Sequence, residues 1–244
     1  YFTSMYDLDQ SWHPFSNLML KHIYNVLLIC SDYDRFMLEE DGRVEEAIYK
    51  EYTDLGLSTP PKITHTNNEE EALSIIKSMS VDLVITMLDF NTGKVENLCR
   101  KIKDIVPSMP VIVLSPATDH RKIKELKKSS ESPIDQVFYW QGNPKLFMAM
   151  IKLVEDSLNI DHDTSVADIQ VIILVEDSIR FISTYLPVIY SSLIQQNRHA
   201  ILEALNDWGK TLRMRGRPKI LLARDGETAL KFYNKYRKNV LGVI

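Results

Sequence analysis

The sequence predicts an α/β fold: a doubly wound, five-stranded parallel sheet followed by a partial second copy of the same pattern. Three observations carry that expectation. From residue 23 onward short apolar runs alternate with amphipathic stretches, the order of a βα repeat. Two segments then share one phrase, Val26-Leu27-Leu28-Ile29-Cys30-Ser31-Asp32 and Val171-Ile172-Ile173-Leu174-Val175-Glu176-Asp177-Ser178. Each is an apolar run that ends on acidic residues, as expected of a strand buried on both faces of a parallel sheet. Finally, 244 residues with a 45% hydrophobic share suffice for two domains of ordinary size.

In the first copy the apolar runs place strands at 24–30, 62–66, 82–87, 110–115 and 134–139. Helical periodicity falls at 35–55, 68–79, 94–106, 119–129 and 144–158. Asn67-Asn68 ahead of Glu69, Glu70 and Glu71 supplies a cap and negative charge at a helix start. Pro107 and Pro110 bracket the loop before Val111-Ile112-Val113-Leu114, and Asn143-Pro144 opens the last helix. Residues 1–22 form an N-terminal arm whose Trp12, Phe15, Leu18 and Leu20 suit packing on another surface. Residues 23–159 form the first domain.

The polar, acidic stretch from Asn159 to Asp168 reads as a linker, assigned to residues 160–169, and the strand count restarts at 170. A strand at 170–175, helices at 178–208 and 225–238, a strand at 219–223 and another beginning at 240 make residues 170–244 the first half of a second domain. Half of such a sheet has a bare edge, so completion by further chain or by a second copy is expected.

A net charge of -4 gives no global case for nucleic acid or anionic membranes. Cys30 and Cys99 suit buried structural thiols in a reducing compartment. No run approaches the ~20 apolar residues of a membrane span, and no basic-then-apolar leader is visible, so the expected location is the cytoplasm.

Carboxylates at the C-terminal ends of parallel strands face the crevice where open α/β sheets bind ligands. The order strand, acidic pair, helix, strand and then Ala223-Arg224-Asp225-Gly226-Glu227-Thr228-Ala229-Leu230 resembles the receiver domain of response regulators. That resemblance implies a flavodoxin-like (CheY-like) fold and tandem receivers. It further implies Mg2+ on the acidic pair, an acceptor Asp after the third strand, a Ser/Thr after the fourth and a Lys after the fifth. In the second copy Glu176 and Asp177 match the metal pair, and the acceptor falls just beyond Ile244. In the first copy Asp32 is a further candidate metal ligand, Met87 occupies the acceptor position, and Ser115 and Tyr139 occupy the phosphate-switch positions. A thioether cannot carry an acyl phosphate and an aromatic ring supplies no cation to pair with one. The first domain therefore resembles a pseudo-receiver, with Asp89, two residues on from Met87, as a substitute acceptor candidate.

Ser31-Asp32-Tyr33-Asp34, Phe36-Met37-Leu38-Glu39-Glu40-Asp41-Gly42-Arg43, Pro60-Pro61 and Trp140-Gln141-Gly142-Asn143 resemble the receiver-like N-terminal region of phosphoenolpyruvate-synthase-related proteins. On that likeness the phosphotransfer domains lie downstream and this segment regulates or docks them, since no phosphate-cradling glycine loop is present.

Smaller signals remain. Asp32, Asp34, Glu39, Glu40 and Asp41 form an acidic group whose ordinary explanation is a capped helix start. Lys210 to Lys219 is the one strong basic run, and its Arg215-Gly216-Arg217-Pro218 resembles the core of an AT-hook. Arg121 to Lys128 is the outer face of an amphipathic helix. Asp161-His162-Asp163 offers metal-ligand residue types on a flexible segment, where no fixed geometry is expected. The favoured expectation is a non-catalytic signal-transduction module that acts on a protein partner, on further domains of its own polypeptide, or as a homodimer. Regulation of a phosphoenolpyruvate-synthase-like phosphotransferase is the alternative, and DNA binding through the basic run the least favoured.

Overall fold

The computed structural model describes residues 17–40, 43–54, 59–87, 94–116, 132–201 and 216–244. β1 (Asn25–Ile29) is buried from Val26 onward because both of its faces are covered. Ser31 then caps α1 (Asp32–Glu40): its Oγ accepts from Asp34 N at 3.1 Å and donates to Asp34 Oδ2 at 2.7 Å. The single helix expected over 35–55 is two helices, α1 and α2 (Val44–Asp54). Arg43 between them has φ 41°, a left-handed conformation that interrupts a right-handed helix.

β2 (Lys62–Thr66) leads into α3 (Glu69–Ser78), where the Asn68 side chain accepts from Glu70 N and Glu71 N as expected of the cap. β3 (Leu83–Thr86), α4 (Lys94–Ile105), β4 (Val111–Pro116) and β5 (Gln136–Trp140) complete a parallel sheet in the order β2-β1-β3-β4-β5. All four pairings of neighbouring strands are parallel, as an α/β architecture requires. The helix expected over 119–129 lies outside the described residues.

The expected linker is corrected by the structure. α5 runs without interruption over Lys145–Ala167 and stops at Asp168, whose φ is 50°. Its second half is helical because Asn159, Asp163 and Thr164 face the interior and find partners there. A second parallel sheet follows: β6 (Val171–Val175), α6 (Ile179–Ile201), β7 (Lys219–Ala223), α7 (Gly226–Lys235) and β8 (Val240–Val243), in the order β7-β6-β8.

α5 and α6 join the two sheets through one core. Phe147, Met150 and Ile151 of α5 and Ile182, Leu186 and Tyr190 of α6 pack with Leu28, Ile85 and Ile112 of the first sheet and Leu174, Ile220 and Leu222 of the second. Cys30 and Cys99 are buried free thiols. Among the described residues no helix is long and apolar enough to cross a membrane.

Candidate functional site

Two strand-end crevices carry the residues singled out in the sequence. In the first, Asp32 opens α1 and its Oδ2 accepts from Asn67 Nδ2 at 2.9 Å, while Asp34 is held by Ser31. Capping thus falls to Ser31 rather than to either aspartate. Met87 follows β3, donates its backbone N–H to Ile29 O at 2.9 Å, and is only 5% exposed among Cys30, Leu28 and Ile85. Ser115 and Tyr139 are register partners across β4 and β5, and both are buried. Met87, Ser115 and Tyr139 therefore lie at the ends of the neighbouring strands β3, β4 and β5, where they supply a thioether, a buried hydroxyl and a buried phenol ring. Asp89 lies outside the described residues.

In the second crevice Glu176 and Asp177 leave the end of β6. Glu176 N donates to Ala223 O at 3.0 Å, and its Oε1 accepts from Ser178 N at 2.9 Å. That bond engages one oxygen of the Glu176 carboxylate. Two carboxylates are hard oxygen donors suited to Mg2+, which keeps several of its waters and so needs few protein ligands. No group of three or more His, Cys, Asp or Glu side chains with metal-binding geometry occurs among the described residues. As a donor set, the two carboxylates fit a water-rich cation site. Asp225, in the phrase matched to receivers, caps α7 by accepting from Thr228 N at 2.7 Å.

Between the crevices, α6 and Arg224 close the outer edge of β5. Tyr139 N donates to Ser183 Oγ at 2.8 Å. Arg224 Nη2 reaches from the end of β7 to Gln136 Oε1 at 2.8 Å and Val137 O at 3.3 Å. Edge groups that would otherwise invite another strand are satisfied by side chains of the second unit. The Arg224 Nε and Nη1 donors are buried without a hydrogen-bond partner among the described residues. Burial pulls this guanidinium down to about 10, with the charge of Asp177 acting in the other direction.

A buried polar seam on α5 was not anticipated. Arg217 Nη2 lies 2.6 Å from Asp156 Oδ1, and Tyr190 Oη and Ile220 N both donate to Asp156 Oδ2, at 2.8 and 3.0 Å. Lys219 Nζ is 3.0 Å from Asp163 Oδ2, and Lys152 Nζ is 2.7 Å from Glu155 Oε2. Burial opposes the Glu155 charge, but Lys152, His22 and the Ile23 N–H outweigh it and hold the carboxyl at about 2.

The N-terminal arm, where described, lies along this seam. Backbone N–H groups of Met19, Lys21 and Ile23 donate to Asp163 Oδ1, Asn159 Oδ1 and Glu155 Oε1 at 3.0, 2.9 and 3.1 Å. Every second residue of an extended chain advances ~6.6 Å and every fourth residue of a helix ~6.0 Å, so the two repeats run in step. The spacing 155-159-163 was the available signal.

These contacts also place two of the smaller signals of the sequence. Arg217 of the AT-hook-like phrase is 1% exposed and bound to Asp156, so it is not presented to a minor groove; Lys210 to Arg215 lie outside the described residues. Asp161, His162 and Asp163 lie on α5 rather than on a flexible segment, and the two aspartates point to different partners. Asp161 takes Lys235 Nζ and Tyr236 Oη, both at 2.7 Å, whereas Asp163 points inward to Lys219.

No family model, curated protein or solved structure matches this chain.

Proposed function

We propose that the chain is a non-catalytic signal-transduction module of the receiver type, which acts through contacts between its own units and with a protein partner or further domains of the same polypeptide. The sheet order β2-β1-β3-β4-β5 is that of flavodoxin-like doubly wound folds, and β7-β6-β8 repeats its first three positions. On this reading the first unit is a pseudo-receiver and the second the opening half of a receiver.

The observation that carries the proposal is Met87. It sits at the end of the third strand, beside β1 and nearly sealed from solvent, where the family would place its acceptor carboxylate. Sulfur in a thioether has no proton to lose and no charge with which to attack phosphorus, so the first unit keeps the scaffold without the phosphoryl chemistry. Its β5 edge is already engaged by α6 and Arg224, which supports communication by docking.

Glu176 and Asp177 are the residues that would hold Mg2+ in the second unit. When bound, the ion would relieve the repulsion between a carboxylate and an incoming phosphoryl donor. Calorimetric titration with Mg2+ tests this assignment. Binding to the wild-type chain that disappears in Glu176→Gln/Asp177→Asn and persists in Asp32→Asn supports it; equal binding by all three proteins would refute it.

A further inference from the structure

We propose that the cleft between the two units is a binding site for a small, uncharged, mostly apolar molecule with a hydroxyl head, a phenol in the simplest case. The site goes beyond the receiver reading and does not depend on it. It lies toward the N-terminal ends of β4 and β5, away from the strand-end crevices, and has a volume of about 320 Å3. Its apolar walls come from elements of both units: Ile112 of β4, Leu153 of α5, Leu222 of β7 and Phe232 of α7.

A space of that size is more than a packing defect. Close-packed interiors leave few voids larger than one water, whereas this one has room for about ten at ~30 Å3 each. The four wall side chains offer those waters no hydrogen bond, so an apolar body that displaces them is favoured. The position suits the role, because junctions between packed units are preferred places for small-molecule sites.

The mouth sets the head group. Ser108, Asp135 and Ser157 are exposed there. Ser157 Oγ already donates to Val154 O at 2.8 Å, so toward a ligand it can only accept. Asp135 is a carboxylate, which likewise accepts and which repels an anion. Its Oδ2 takes Lys103 Nζ and Val111 N, both at 2.7 Å, and the lysine offsets its charge, so a cation gains little from it. Gln136 Oε1 is engaged by Arg224 Nη2 at 2.8 Å. What these groups call for is a neutral donor, and a hydroxyl supplies one. A ligand so placed touches both units and stabilises their junction when it binds.

The test titrates the full chain with 2-naphthol, whose fused rings suit the walls and whose hydroxyl suits the mouth, and follows probe fluorescence and backbone amide shifts. Saturable binding with a Kd of about 100 μM is expected. The shifts should centre on Ile112, Leu153 and Leu222, and Tm should rise with probe concentration. Naphthalene, which has no donor, and 2-naphthoate, which is anionic, should each bind about fivefold more weakly or worse. Ser157→Trp sets a large ring at the exposed mouth, and Phe232→Ala removes an apolar wall. Each should weaken 2-naphthol binding about tenfold, Ser157→Trp with the Tm of the free chain unchanged. Absence of saturable binding by the wild type, shifts centred elsewhere, or wild-type affinity in either variant overturns the site. Naphthalene or 2-naphthoate binding as tightly as 2-naphthol overturns the assigned head group.

Discussion

Arg217 and Asp156 form a two-pronged ion pair, Nη1 to Oδ2 at 2.9 Å and Nη2 to Oδ1 at 2.6 Å, in a place neither side chain shares with water. The pair joins the approach to β7 with the middle of α5 and thereby fixes how the second sheet meets the first. Desolvating two charges offsets most of their attraction, so such a pair contributes more to defining an arrangement than to net stability. Removing one partner is another matter. Arg217→Met leaves the Asp156 carboxylate buried with only Tyr190 and the Ile220 N–H as donors, and a loss of about 3–5 kcal/mol is expected in urea unfolding. Changing both residues, Arg217→Met with Asp156→Leu, should recover part of that loss.

Acid should act through Glu155. Its carboxyl is held at about 2 in the folded chain against an ordinary value of 4.5, so the folded state favours the ionised form. The stabilisation is complete above about pH 4.5 and is lost as pH falls toward 2. It amounts to at most about 3 kcal/mol. Urea midpoints measured across that range should fall steeply in the wild type and less steeply in Glu155→Gln, which starts from lower stability at neutral pH.

The cysteines should be chemically silent. Burial, reinforced by Asp34 at Cys30 and by Asp135 at Cys99, pushes both thiols up to about 12, so almost no thiolate exists near neutrality. Iodoacetamide at about pH 8 should leave the native chain unmodified and alkylate both residues once urea unfolds it. Fast modification of either thiol in the native protein would show that its pocket is open.

Asn159 ties the N-terminal strap to α5 from both sides, accepting from Lys21 N and donating to Lys21 O. Asn159→Leu leaves both backbone groups unpaired, at a cost of about 2 kcal/mol. Hydrogen exchange should show the amides of Met19, Lys21 and Ile23 protected in the wild type, with Lys21 exchanging fastest in the variant.

The strands were legible because a buried parallel strand has to be apolar on both faces, and β1 and β6 carry that requirement openly in Val26–Ile29 and Val171–Val175. Asn68 and its three glutamates announced α3 in the same direct way. The second half of α5 was misread because its buried face is charged. Asp156 and Asp163 look solvent-facing until Arg217, 61 positions after Asp156, and Lys219 are folded against them. Ser31-x-x-Asp34 carries the pattern of a capping pair, so the capped helix start was legible although the cap is Ser31 and not Asp32 or Asp34. Arg224 stood in plain view inside a motif-like phrase. Its reach to Gln136 is a property of how two sheets meet, which no local pattern encodes.

The first unit is proposed to be a receiver-type fold without an acceptor. Incubation of the chain with acetyl phosphate and Mg2+, followed by intact mass and peptide mapping, tests it most directly. An unchanged mass is expected, because on the proposed reading a buried methionine, Met87, stands in place of the acceptor, and Asp32 is hydrogen-bonded to Asn67. Addition of one phosphoryl group mapping to Asp32 or Asp89 would contradict it and make the first unit a working receiver.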